Sequence, residues 1–120
     1  MTKKIKKVGV IGAGTMGAGI AGQVANAGIE VILLDLPSDN DDVNALARRG
    51  LERLKNPEMP GLISEEAEAL IYIGNTQDDF DKLADCDWVA EAIIERLEIK
   101  QQLYRSLIDC CDADTIITSN

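Results

Sequence analysis

Histidine is absent from the 120 residues. No Cys-x-x-Cys pair stands in for it, so the usual ligand set of a zinc site is missing. Aromatic residues make up only 3% of the chain. A core must therefore come from Val, Ile, Leu and Ala, the residues of parallel strands covered by helices on both faces. The three cysteines, Cys86, Cys110 and Cys111, are odd in number and two are adjacent. That excludes a disulfide framework and fits a reducing, cytoplasmic setting; the three read as packing or surface thiols. Basic charge is in deficit, with 12 Lys and Arg against 21 Asp and Glu, a net charge of −9. No nucleic acid and no anionic membrane is expected as a partner, since both need basic neutralisation. An anionic cofactor held by backbone N–H groups is still allowed. No apolar run is long enough to span a bilayer. Lys3, Lys4, Lys6 and Lys7 precede a small-residue stretch ending in Ala25-Asn26-Ala27, which imitates a secretory leader. Gly9, Gly12, Gly14, Gly17, Gly19 and Gly22 interrupt that stretch and fit a tight loop better. Repeats, linkers and low-complexity tracts are lacking as well.

What is present is an alternation of short apolar runs and helical patterns, at a length that suits one domain. Ile5 to Ile11 reads as a buried strand, Thr15 to Ala27 as a helix of small residues, and Gly28 as its stop. Glu30 to Leu36 is a second, continuously hydrophobic strand. Pro37 to Asp42 is an acidic loop and Val43 to Lys55 a helix, whose Arg48, Arg49, Arg53 and Lys55 read as a solvated charged face. Pro57 and Pro60 break the chain. Ser64 caps a short helix, with Glu65 and Glu66 in its favoured first turn. A third strand is expected at Leu70 to Ile73, a brief polar helix or turn at Asp78 to Ala84, and a fourth strand at Trp88 to Ile93. Leu97 to Cys111 is a helix with Leu97, Ile99, Leu103, Leu107 and Cys111 near one side. Thr115 to Thr118 reads as a buried fifth strand. Such alternation implies an α/β, doubly wound parallel sheet with right-handed crossovers.

The chemistry concentrates in Gly12-Ala13-Gly14-Thr15-Met16-Gly17. A Gly-x-Gly-x-x-Gly string is weak evidence alone, but here it lies between a strand and a helix, the context it requires. Gly12 permits the tight turn, Gly14 lets backbone approach a diphosphate, and Gly17 lets the helix pack on the strand. The helix start, with the N–H groups near Thr15 and Met16, adds unpaired donors and a partial positive charge. Asp35 ends the second strand about twenty residues further on, where a carboxylate accepts from ribose hydroxyls and repels a 2′-phosphate. Leu36 and Pro37 follow it, with no arginine to compensate, so NAD is preferred to NADP. A Rossmann fold also serves FAD or S-adenosylmethionine, and these features alone leave the three open.

The string VGVIGAGTMGAGIA, Val8 to Ala21, resembles the opening of the 3-hydroxyacyl-CoA dehydrogenases, an opening partly shared with β-hydroxyacid dehydrogenases. Asp85 to Lys100, DCDWVAEAIIERLEIK, resembles the former family alone. Thr115 to Asn120, TIITSN, resembles the end of that family's fifth strand. Asn44 to Asn75 looks more like the long bacterial fatty-acid-oxidation form, which can carry an enoyl-CoA hydratase region. The resemblance implies that residues 1–120 are the NAD-binding Rossmann domain of a longer, cytoplasmic, homo-oligomeric enzyme that oxidises 3-hydroxyacyl-CoA to 3-ketoacyl-CoA. It also implies roles. Gly12, Gly14, Met16 and Gly17 would hold the pyrophosphate, and Asp35 the adenosine ribose. Ala92 would line the cofactor groove. Glu95 and Lys100 would stand near the NAD, though a surface helix start explains that pair too. Asn120, at a strand's carboxyl edge, is a further cofactor-side candidate.

The implied reaction needs a general base, and the family's base is a histidine beyond the Ser-Asn strand end. This chain has none, so the expectation is a domain that binds NAD without turning it over, its substrate reached through a separate helical domain. Two rivals stay in view: a Rossmann methyltransferase using S-adenosylmethionine, and a non-catalytic NAD-binding module.

Overall fold

The computed structural model describes residues 5–39, 41–56, 61–62, 64–93, 97–111 and 115–119, with backbone alone at 97 and 99. Strands β1 (Lys7–Ile11), β2 (Glu30–Asp35), β3 (Ile71–Asn75), β4 (Trp88–Glu91) and β5 (Ile116–Ser119) form one sheet in the order β3-β2-β1-β4-β5. All four pairings are parallel. Helices α1 (Thr15–Asn26), α2 (Ala45–Leu54) and α3 (Glu65–Glu68) pack on one face. A 3₁₀ turn at Phe80–Asp85 and helix α4 (Leu97–Cys110) pack on the other. The expected doubly wound α/β sheet is what forms. The order of strand addition reverses between β1 and β4, so the carboxyl ends of those two strands flank a crevice.

The sequence dictates these elements through alternation across the sheet. Val8, Val10, Val31 and Leu33 face α1 to α3, while Ile11, Ile32, Leu34 and Val89 face α4. Helix α1 buries Gly17, Ala18, Ala21, Gly22 and Ala25, small residues at helical spacing that let its axis approach the strands. A Cβ on Gly17 would overlap the carbonyl oxygen of Gly12. The helix stops where Gly28 takes φ +85°. The Gly28 N–H donates to Ala25 O at 2.9 Å and the Ile29 N–H to Val24 O at 3.3 Å, the paired closure that a left-handed glycine permits. In α3 the Ser64 hydroxyl accepts from the Ala67 N–H at 3.1 Å, as its capping role required.

Element ends differ from the sequence reading in instructive ways. β3 runs on to Asn75, beyond the expected end at Ile73, because its backbone continues to pair with Leu34 and Asp35. β4 ends at Glu91, two residues early, where that residue's own side chain turns the chain. The fifth strand is not buried. Ile116, Thr118 and Ser119 are exposed and only Ile117 packs inward. β5 lies at the end of the strand order with β4 as its one neighbour among the described residues, so apolar side chains there lack cover. Arg48 of α2 and Lys55 just beyond it are solvated as read, with Arg48 to Asp42 at 2.7 Å and Lys55 to Glu68 at 3.4 Å. Exposed pairs of this kind contribute little.

The cysteines are free thiols around one feature. Cys86 is buried, Cys110 points its Sγ at Phe80 O and Cys111 at Leu83 O, both at 3.6 Å. Burial pushes all three thiols up, Cys86 to about 12. A thiol raised in this way keeps its proton in the folded chain after the unfolded chain has lost it, so its contribution holds below pH 9 and is lost as pH rises toward 12. Titration with a disulfide reagent at pH 8 should find Cys86 unreactive in the folded chain and all three thiols reactive in urea.

Gly17→Ala should lower the unfolding free energy by about 3 kcal/mol, since backbone cannot rotate away from the added methyl. Gly14→Ala, where a Cβ meets nothing within 4 Å, should cost no more than about 1 kcal/mol. Urea denaturation of both variants measures the contrast.

Candidate cofactor-binding site

The crevice between the β1 and β4 ends holds a cleft of about 530 Å³ lined by Gly12, Gly14, Thr15, Met16, Asp35, Ala92 and Ile93. Its floor is the turn from β1 into α1. Gly12 has φ +107°, a value that L side chains rarely adopt. Its N–H donates to Leu34 O at 2.7 Å. A Cβ there would sit 2.8 Å from the Ala92 carbonyl carbon and 2.9 Å from the Ile93 nitrogen, so the β1 turn and the β4 end touch as bare backbone. Gly14 is the N-cap of α1 and faces open space. No acidic residue stands in the first turn of α1, so the partial positive charge of the helix start is not locally cancelled. Met16 is 55% exposed at the rim.

Asp35 is bound to the same turn. Its Oδ2 accepts from the Ala13 N–H at 2.8 Å and its Oδ1 from the Leu36 N–H at 2.7 Å. A carboxylate has about four acceptor positions. Two backbone donors fix the group in place and leave one position on each oxygen for a ligand. Two vicinal hydroxyls match that pair of acceptors. The geometry thus supplies donors for an anion at one end and acceptors for a sugar at the other, with Gly14 opening the space between. An adenosine diphosphate portion of a dinucleotide has this sequence of groups.

Of the expected site residues, Gly12, Gly14, Thr15, Met16, Asp35 and Ala92 line the one cleft. Gly17 lies beneath it, packed on Gly12. Lys100 is not among the lining residues; its Nζ lies 3.6 Å from Glu91 Oε1. Glu95 and Asn120 lie outside the described residues. Four supports were missed. Glu91 is buried at the end of β4, and its Oε2 accepts from the Ile93 N–H at 2.6 Å; a carboxylate inside the apolar run WVAEAII was the signal, since such a group demands partners. Gly50 of α2 lies so close to Ala13 that a Cβ would come within 2.5 Å of the Ala13 carbonyl oxygen; a glycine in a helix interior was the hint. Arg53, read as solvated, also reaches Ala13 O, at 3.5 Å. Asn75 is buried, accepts from the Gln77 and Asp78 N–H groups and donates to Asn44 Oδ1 at 2.8 Å, tying the β3 end to the start of α2. Nothing in its sequence context signals that.

Comparison with known proteins decides the family. The model of the 3-hydroxyacyl-CoA dehydrogenase NAD-binding domain matches residues 7–120. The chain belongs to that family. A Deinococcus radiodurans protein named as a probable 3-hydroxyacyl-CoA dehydrogenase is 48% identical over 118 residues, covering 98% of this chain and 34% of the relative. A Rickettsia felis protein named as a fatty acid oxidation complex trifunctional enzyme is 44% identical, covering 100% of this chain and 17% of the relative. The crystal structure of 3-hydroxybutyryl-CoA dehydrogenase from Escherichia coli superposes with a TM-score of 0.74 at 32% identity, covering 98% of this chain and 25% of that one. The chain therefore spans between 17% and 34% of the length of these relatives. The cofactor of a domain of this family is NAD.

The two backbone donors on Asp35 generate a stability prediction. In Asp35→Asn one of them faces an amide NH₂ instead of an oxygen. Loss of one such bond should cost about 1.5 kcal/mol, read by urea denaturation without cofactor.

Proposed function

We propose that this chain is the NAD-binding half of an oxidoreductase that converts 3-hydroxyacyl-CoA to 3-ketoacyl-CoA in fatty-acid β-oxidation. The observation that carries it is the bond from the Ala13 N–H to the Asp35 carboxylate at 2.8 Å, which fuses the anion-binding turn and the sugar-binding acid into one site. The cofactor's diphosphate lies over Gly12, Gly14 and the start of α1, where N–H groups offset its charge without a basic side chain. Gly17 keeps α1 close enough for those groups to reach. Asp35 takes the adenosine ribose hydroxyls and disfavours a 2′-phosphate. Ala92 and Ile93 wall the cleft on the β4 side. Glu95 and Asn120 are proposed at the nicotinamide side from their positions after β4 and β5, and Lys100 is proposed to bring a positive charge there.

When bound, NAD supplies a hydride acceptor for the carbon bearing the hydroxyl. The hydroxyl proton needs an acceptor titrating near neutral pH, and histidine is the side chain that does so unperturbed. The sequence has none, so the base and the acyl-CoA site are assigned to other parts of the whole enzyme, as the longer relatives allow.

Calorimetry on the 120-residue chain should show NAD binding, with NADP at least about tenfold weaker. Asp35→Ala and Gly14→Ala should each weaken NAD about tenfold, the worth of one charge-assisted bond or one lost close approach. The chain alone should not oxidise 3-hydroxybutyryl-CoA. Tighter binding of S-adenosylmethionine than NAD, or measurable turnover, would refute the reading.

A further inference from the structure

Arg53 approaches the glycine turn from α2. Its Nη1 donates to Ala13 O at 3.5 Å, across a separation of 40 residues in the chain. The packing of α2 brings it there. A Cβ on Gly50, one turn earlier, would come within 2.5 Å of the same oxygen and 2.7 Å of the Ala13 Cβ, so α2 lies on the turn as bare backbone at that point. Ala13 is 3% exposed. A carbonyl covered in this way needs a donor, and among the described residues no backbone N–H reaches it. The guanidinium of Arg53 fills that place. A bond from a charged donor is stronger than one from a neutral donor.

Ala13 O and the Gly14 N–H belong to one peptide, and none of the described peptides is cis. A trans peptide holds its C=O and N–H on opposite sides. With Ala13 O turned to α2, the Gly14 N–H is turned away from α2. Gly14 lines the cleft and no residue of α2 does, so that N–H is on the cleft side. It has no acceptor among the described residues. The preceding peptide is fixed separately, its Ala13 N–H bound to Asp35 at 2.8 Å. We infer that Arg53 is a positioning residue for the anion-binding turn: by holding the Ala13 carbonyl against α2, it aims the Gly14 N–H into the cleft. A charge on the oxygen of a peptide also polarises its N–H, which strengthens that donor. The inference rests on the proposed placement of the diphosphate and adds a residue that does not touch it.

A packing role for Arg53, or a direct contact with phosphate, predicts different results. The test uses the ¹⁵N-labelled 120-residue chain with Arg53→Met and Arg53→Lys. Dissociation constants for NAD, ADP and adenosine are read by NMR titration, adenosine being the probe without a diphosphate. In Arg53→Met, NAD and ADP should bind about fivefold more weakly, the loss of one long charge-assisted bond. Adenosine should bind as it does to the unmodified chain, and the Gly14 amide signal should move before any ligand is added. Arg53→Lys keeps a charged donor and should recover at least half of the ADP affinity. Arg53 is exposed, so neither change disturbs the core, and Arg53→Lys keeps the test open if Arg53→Met does not fold. Unchanged ADP affinity in Arg53→Met would overturn the positioning role, as would equal weakening of adenosine and ADP, which is the mark of packing alone. An unmoved Gly14 signal would overturn it too, because a guanidinium that acts on phosphate directly leaves the ligand-free turn as it was. So would an Arg53→Lys variant no better than Arg53→Met. All four results leave the cofactor reading intact, whereas failure of the unmodified chain to bind NAD would overturn both.

Discussion

The amide of Ala13 cannot point at Asp35 unless Gly12 takes its positive φ, and Gly12 cannot take its place unless β1 and β4 meet there without side chains. That chain of requirements organises the site. The turn directs one N–H to the carboxylate and leaves those that follow at the start of α1. The carboxylate in turn is held from its other oxygen by Leu36, the residue that follows β2. α2 closes the arrangement from behind, with Gly50 against Ala13. The site is thus preorganised by backbone contacts, and little ordering of side chains accompanies ligand entry.

An acidic protein that binds an anionic cofactor illustrates how locally such binding is decided. The net charge of −9 is spread over a surface where solvent screens it beyond about 8 Å at physiological salt. The start of α1 acts at contact distance. Its first turn carries no acid, whereas the first turn of α3 carries Glu65, Glu66 and Glu68. The same rule of helix polarity thus has opposite uses: α3 stabilises itself with carboxylates, and α1 keeps its end available.

The first half of the site was legible in the sequence because its determinants are local. The period of Lys7 to Asp35 switches from strand to helix to strand, and the spacing of Gly12, Gly14, Gly17 and Asp35 follows from one βαβ unit. The second half was not legible by that route. Glu91, Asn75 and Gly50 acquire meaning from partners far away in the chain, and single-sequence periodicity carries no information on which distant residues meet. Glu91 could be flagged as a charge in an apolar run, but its partners Ser119 and Lys100 could not be named. β5 was misread for a related reason. The string TIIT records apolarity, while burial depends on what lies beside the strand.

The contact between Gly12 and the Ala92–Ile93 backbone joins the first and last thirds of the chain. The turn alone, with α1 and β2, makes a floor and one side. The opposite side exists only after β4 has paired with β1. During synthesis on the ribosome, the nascent domain therefore completes this cleft late, when the strand that follows the 3₁₀ turn has emerged and found the first strand. Until then it has the glycine turn but no second wall to the cleft.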